Sequence, residues 1–163
     1  MESVTDRIEK LNVTQNNLES NENSNSSDNS LPLVHTEKFT VTDLNNEDTE
    51  YTLTALKFSN SWQLFLTYSG NVGTWLCSSA DLSHLDIYST RVLLGDRTKE
   101  YYQVYSRNGI KVLCDCLREK DRIDKYSPTD DLILLMALDI KVHDNKVFAQ
   151  ILERFKNVFN LLT

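Results

Sequence analysis

The stretch Asp131-Leu132-Ile133-Leu134-Leu135-Met136-Ala137-Leu138 is the most apolar in the chain, and it decides the fold class. Its apolar residues follow one another without the alternation of a half-buried strand, and the run is too short for a typical helix. This pattern predicts a strand that is covered on both faces. We therefore expect it at the centre of a sheet.

Shorter β-patterns come before this strand. Alternating apolar residues predict a hairpin whose turn is the acidic segment 45–48. The strand segments are Glu37 to Val41, Tyr51 to Ala55, Trp62 to Tyr68, Thr74 to Cys77 and Thr90 to Leu94. The economical topology places the first four side by side in sequence order, as an antiparallel meander.

Helical periodicity appears after the fifth strand. Apolar side chains between Tyr102 and Leu117 fall on one stripe, and Asp96 or Thr98 is the predicted cap of this helix. Gly109 lies on the stripe, so we expect the helix backbone to approach the sheet there. A kink at Gly109, or two shorter helices, is the alternative.

A second helical pattern closes the chain. Asp144 is its predicted cap, and a wide apolar stripe runs from Val147 to Leu162. With strands early and helices late, the sequence predicts an α+β fold. It consists of a single, mostly antiparallel sheet of about six strands with two helices packed on one face.

The other face of this sheet carries aromatic side chains. If Leu64, Leu66 and Tyr68 point toward the helices, then Phe65 and Trp75 point away from them. A sheet face with such residues and no cover from its own chain is expected to be covered by another chain. Phe65 and Trp75 are therefore the predicted partner-interface residues.

Composition divides the chain in two. Residues 1–32 are predicted to form a disordered acidic tail rich in Asn and Ser, and residues 33–163 form the domain. The net charge is −7, which disfavours nucleic acid and anionic membranes as partners. Three cysteines and no apolar run behind a basic segment predict a reducing compartment, the cytoplasm, with the nucleus as a second location.

Metal-binding and catalytic patterns are weak. The histidines His35, His84 and His143 and the cysteines are scattered, without the paired spacing of a zinc site. We expect Cys116 to lie in the core and Cys114 to be partly exposed. Cys77 with His84 or His143 is the remaining catalytic candidate, but no neighbouring base marks this thiol as activated. The expectation is a non-enzymatic protein with no metal and no cofactor.

Several segments resemble the proteasome assembly chaperone family. Phe58-Ser59 leads into an apolar strand that ends in Gly70-Asn71-Val72-Gly73-Thr74, and Thr90-Arg91-Val92-Leu93-Leu94-Gly95 precedes the long helix. The strand 132–138 and the closing helix follow in the same order. The resemblance covers about residues 34–162 and is closest to the third family member, then to its partner, the fourth. The Asn/Ser-rich tail and the long 118–130 loop depart from the family pattern.

The resemblance implies a chaperone that pairs with a related subunit and binds an α-type subunit of the 20S proteasome. It would promote α-ring assembly, leave before the particle matures, and need no catalytic residue or cofactor. The alternative is a small dimeric α+β adaptor of the longin or roadblock type in trafficking or signalling. A third hypothesis is an enzyme that uses Cys77 or a histidine.

Overall fold

A computed structural model describes residues 31–59, 61–81, 87–120 and 131–163. The strands are β1 (Leu33–Thr42), β2 (Asp48–Lys57), β3 (Ser61–Thr67), β4 (Thr74–Asp81), β5 (Tyr88–Leu94) and β6 (Asp131–Asp139). The helices are α1 (Tyr101–Glu119), which lies between β5 and β6 in the chain, and α2 (Asn145–Leu162). Residues 1–30 of the predicted acidic tail 1–32, the loop at His84 and residues 121–130 of the predicted long loop lie outside the described residues.

All six strands belong to one sheet, in the order β1-β2-β3-β6-β4-β5. Among the described strands, β3 and β6 are parallel, and the other neighbouring pairs are antiparallel. The prediction of an α+β fold with one mostly antiparallel sheet is confirmed. The predicted sequence-order meander is wrong, because β6 lies between β3 and β4.

Gly73 allows the chain to pass from β3 to β4 around the end of β6. A Cβ atom at this position would lie 1.9 Å from the carbonyl oxygen of Leu138 and 2.9 Å from the Cα of Asp139. Both are backbone atoms of the central strand, so they cannot move aside like a flexible side chain. The close approach brings Thr74 into register with Leu138 at the start of β4.

The central position predicted for β6 is confirmed, but its expected cover on both faces is wrong. Leu132, Leu134, Met136 and Leu138 are fully buried. Ile133, which points to the other face, is 37% exposed. The side chains of this apolar run therefore alternate as in an ordinary strand. One set is buried under the helices, and the other set lies on the less covered face of the sheet.

Both helices pack on the same face of the sheet. The rings of Trp62 in β3 and Phe159 in α2 meet edge to face, with centroids 5.5 Å apart. On the α1 side, a Cβ at Gly109 would lie 3.0 Å from the Sδ of Met136 in β6. The predicted close approach at Gly109 is confirmed. The alternative of two shorter helices is wrong, because α1 is one helix.

The two helices run parallel, since their N-terminal ends lie together and so do their C-terminal parts. Near the first end, the rings of Tyr105 and Phe148 lie 4.8 Å apart. Farther along, the Cys116 thiol lies 3.9 Å from the carbonyl oxygen of Lys156. In the described part of the chain, neither helix has the length and apolar composition to cross a membrane.

The caps of the helices differ from each other. The Asp144 carboxylate accepts a hydrogen bond from the Val147 amide at 2.8 Å, which confirms the predicted cap of α2. The predicted cap of α1 is wrong. Glu100 occupies the N-cap position without a side-chain hydrogen bond. Asp96 instead accepts the Thr98 amide at 2.9 Å and forms a turn before the helix.

Candidate partner-binding surface

The sheet face opposite α1 and α2 is the candidate partner-binding surface, and we term it the open face. Its side chains alternate with buried ones along β3, β4 and β6, and they are half-buried or exposed, apart from one buried alanine. The apolar members in the centre of the open face are Phe65, Trp75, Cys77, Ile133, Leu135 and Ala137. Among the described helices, neither covers this group.

One row of residues crosses the centre of the open face. Thr54, Phe65, Ala137, Trp75 and Leu94 are successive register partners on five neighbouring strands. Phe65 and Trp75 meet edge to face, with ring centroids 5.5 Å apart and planes at 89°. Between their strands lies Ala137, which is 3% exposed. The prediction that both aromatic residues point away from the helices is confirmed, and their contact with a partner stays a prediction.

A small groove lies beside the Phe65 ring. It has a volume of about 100 Å³ and is lined by residues of β3, of β6 and of the turn after β3. Phe65 and Ala137 line it from the sheet, and Val72, which is 64% exposed, lines it from the turn. An apolar hollow of this kind suits the insertion of a side chain from another protein.

The middle of β1 and β2 contributes polar side chains to the outer part of the open face. The hydroxyl groups of Thr36 and Thr54 lie 3.0 Å apart. Lys38 and Glu50 form an ion pair at 3.4 Å with both side chains well exposed. Apolar side chains therefore cluster on β3, β6 and β4, together with Leu94, which is 69% exposed at the end of β5, and Val34, which is 58% exposed on β1 in register with Leu56.

The candidate catalytic residues are not brought together. Cys77 lies on the open face in register with Leu135. His143 lies on the helix side, where its Nδ1 is 3.3 Å from the Tyr105 hydroxyl. The sheet separates the two, and His84 lies outside the described residues. His35 lies on β1 beside Glu37, with 3.7 Å between ring nitrogen and carboxylate. Nowhere in the described ranges do three His, Cys, Asp or Glu side chains group closely enough to share a metal ion.

The two cysteines of α1 are both fully buried. Burial raises the pKa of the Cys114 thiol to about 12, so this thiol stays protonated at neutral pH. The core position of Cys116 is confirmed, and the partial exposure expected for Cys114 is wrong. The buried stripe of α1 is wider than predicted, because Ser106, Ile110 and Cys114 form a second buried row, one turn apart from each other.

Aromatic residues hold the segment after β6 in place. The ring of His143 stacks on Tyr101 with centroids 4.6 Å apart and planes within 9°. The Tyr51 hydroxyl accepts a hydrogen bond from the Lys141 amide at 3.3 Å. The Tyr102 hydroxyl accepts one from the Ile140 amide at 3.4 Å. These contacts hold the segment after β6 against α1 and the end of the sheet.

Sequence reasoning missed most of the open face. Leu135 and Ala137 were assigned to a strand covered on both sides, and Leu94 and Val72 were not considered as surface residues. Within β6, parity with Ile133 places Leu135 and Ala137 on one face, and the pairing of Ala137 with Phe65 in the structure makes this the open face. No signal in the sequence indicated that β6 would lie between β3 and β4, which is what brings Phe65 and Trp75 into contact.

Comparisons with known proteins found similarity among solved structures. No family model matches the chain, and no curated protein matches its sequence. Among solved structures, a chain of a crystal structure described as a novel chaperone complex for yeast 20S proteasome assembly is similar. The two chains are 17% identical with a TM-score of 0.46, and the match covers 77% of this chain and 98% of the other.

Proposed function

We propose that this protein is a non-enzymatic assembly chaperone of the proteasome. It pairs with a related subunit through the open face of its sheet and binds an α-type subunit of the 20S core particle during assembly of the α-ring. It is not part of the mature particle. Its proposed location is the cytoplasm, with the nucleus as a second compartment.

The observation that carries the proposal is the aromatic pair on the open face. Phe65 and Trp75 are each half-buried and form one continuous apolar surface with Leu135 and Ala137. Desolvated aromatic residues with a neighbouring hollow are typical of the energetic centre of protein interfaces. A second sheet laid on this face would bury the pair, as two sheets pack about 10 Å apart in a sandwich.

The family assignment behind the proposal comes from the order of the sequence segments. The hairpin around Gly70 and Gly73, the strand Thr90 to Leu94 and the closing helix resemble the family pattern in the same order. The structure gives Gly73 and Gly95 a common physical role at this end of the sheet. A Cβ at Gly95 would lie 2.8 Å from the Cα of Thr74, as a Cβ at Gly73 would meet β6.

Co-expression tests the proposal. The full chain is produced with a candidate related subunit and with proteasome α-type subunits, and complexes are separated by size exclusion. We expect Phe65→Glu to abolish pairing, because a carboxylate would be desolvated at the centre of the interface. The matched control is Thr36→Glu, which adds the same charge to the same face in the polar part. Circular dichroism of both variants checks that they fold.

A chain that stays alone and binds no α-type subunit would contradict the proposal. Equal loss of pairing in both variants would also count against it, since it would indicate a general charge effect. Association with small GTPases or coat components in place of α-type subunits would favour the longin or roadblock type of adaptor.

A further inference from the structure

The charges of the chain are segregated between its helices and the rest. α1 and α2 together hold six Lys and Arg residues against three Asp and Glu residues, a net charge of +3. Since the whole chain carries −7, all other segments together carry −10. The helix pair is therefore a basic layer on an acidic protein. Its basic residues are Arg107, Lys111 and Arg118 in α1 and Lys146, Arg154 and Lys156 in α2.

Four of these cations take part in no ion pair within the described ranges. Lys146 donates to the Asp43 carbonyl oxygen at 3.0 Å and Arg154 lies over the Phe39 ring, whereas Arg107 and Lys111 have neither kind of contact. Arg118 is paired with Asp115 at 3.3 Å, and Lys156 with Glu119 at 3.7 Å. Arg107 and Lys111 are exposed one turn apart on the outer side of α1, and neither forms an ion pair with any residue in the described ranges. Like charges at this spacing destabilise a helix slightly, so the placement of Arg107 and Lys111 one turn apart does not stabilise α1.

An open cleft with balanced charges lies between the two helices beside Arg107 and Lys111. It has a volume of about 400 Å³, and Val112 supplies the apolar part of its lining. Its remaining walls are the paired charges Asp115, Arg118, Glu119 and Lys156. Val104, which is 47% exposed, lies one turn before Arg107 on the same side of α1. The surface thus offers unmatched cations beside two accessible apolar contacts.

We propose that this outer surface of the helix pair binds an acidic, amphipathic segment of a second protein. Carboxylates of the segment face Arg107 and Lys111, and an apolar side chain enters the cleft above Val112. Charge complementarity favours such a segment over a second copy of this chain through the same surface, because two basic layers repel each other. The surface lies on the opposite side of the sheet from the open face. It leaves the open face available to a different partner and stands or falls independently of the proposed function.

The test uses the full chain and a short fluorescent peptide composed of Glu and Leu, with a peptide in which Gln replaces every Glu as the probe control. Binding is measured by fluorescence anisotropy. We expect Arg107→Gln with Lys111→Gln to weaken binding about tenfold or more, the scale of one or two charge-assisted contacts. The matched control is Arg97→Gln with Lys141→Gln, which removes two exposed cations outside the helices and should change binding less than about twofold.

If the variant does not fold, the test uses chemical-shift mapping of the peptide on the unmodified chain. Shifts confined to α1 and α2 around Val112 are expected, and shifts on the open face would overturn the proposal. Absence of binding, equal binding of the Gln peptide, or equal loss in both variants would overturn it as well. Substituting Glu19, Glu22 and Asp28 of the same chain by their amides should leave binding unchanged. A gain of about tenfold would assign the surface to the chain's own acidic segment and overturn the proposal.

Discussion

The indole ring of Trp75 meets the phenyl ring of Phe65 edge to face at 5.5 Å, although their strands are not neighbours. β6 separates them, and it contributes Ala137 at the crossing point. A methyl group there is small enough for the two rings to meet above it. A small residue in the most apolar strand thus allows an aromatic pair to form on the open face.

This contact should be measurable as a coupling. In a double-mutant cycle with Phe65→Leu and Trp75→Leu, we expect an interaction energy of about 0.5–1.5 kcal/mol, the scale of an edge-to-face aromatic pair. Urea denaturation supplies the four free energies of unfolding. Phe65 with Phe39 is the control pair, because Phe39 lies on the helix side. A coupling no larger than that of the control pair would show that the rings do not interact.

Two glycines should respond differently to alanine. Gly73→Ala is expected to cost at least about 2 kcal/mol of stability, because the new methyl group would overlap the backbone of Leu138. Gly109→Ala should change stability by less than about 1 kcal/mol. The gain in helix propensity is offset by pressure on the flexible Met136 side chain, 3.0 Å away. Urea denaturation of both variants provides the comparison, and similar losses would refute this account.

The buried hydroxyl groups between β4 and α1 should behave as a unit. Ser78 lies 2.8 Å from Ser106 and 2.7 Å from Thr90, and both serines are fully buried. We expect Ser78→Ala to cost about 1–3 kcal/mol, since it leaves the Ser106 hydroxyl without this partner. Adding Ser106→Ala should cost less than the same change in the unmodified protein. Additive losses in chemical denaturation would mean that the hydroxyls act independently.

Asp144 should make stability depend on pH in the acid range. The amides of Val147 and Leu44 donate to its carboxylate at 2.8 and 3.0 Å, and these hydrogen bonds lower its pKa below the ordinary value of 3.8. The stabilisation is present above that ordinary value and is lost as the pH falls through the lower pKa of the folded state.

Asp144→Ala should therefore lower Tm at neutral pH, with a difference that shrinks as the pH falls below about 4. Glu153→Ala on the exposed side of α2 is the control. Thermal unfolding followed by circular dichroism across this range checks the prediction. A Tm difference that does not change with pH would assign the loss to packing and not to the carboxylate.

The three cysteines should differ in reactivity. Cys77 is half-buried on the open face, whereas Cys114 and Cys116 are fully buried and burial raises the pKa of both thiols. Iodoacetamide at neutral pH should modify Cys77 alone in the native protein and all three in urea, as read by mass spectrometry. Native modification of Cys114 at a comparable rate would show that α1 opens readily. If the open face binds a partner, the partner should protect Cys77.

Most local structure followed from the sequence. The strand periods around Phe39 and Leu53, the apolar stripe of α2 and its Asp144 cap were all predicted correctly, because each depends on residues close together in the chain. The cap of α1 was not. Asp96 and Thr98 both have the right chemistry for a cap. The Thr98 amide instead donates to the Asp96 carboxylate, and the helix begins at Tyr101. Short polar side chains serve turns as well as caps, and the sequence does not distinguish these uses.

The sequence by itself determined the fold class, the approach of Gly109 to the sheet and the direction of Phe65 and Trp75, since these depend on composition and on periods of two and 3.6 residues. Only the tertiary structure showed that β6 lies between β3 and β4. This strand order brings Phe65 and Trp75 into contact across β6. Strand order depends on long-range pairing and on where a backbone can cross another, and here Gly73 leaves room for the chain to pass the carbonyl oxygen of Leu138. The segregation of basic helices from an acidic remainder was already in the sequence, but only the packing showed which cations are left unmatched.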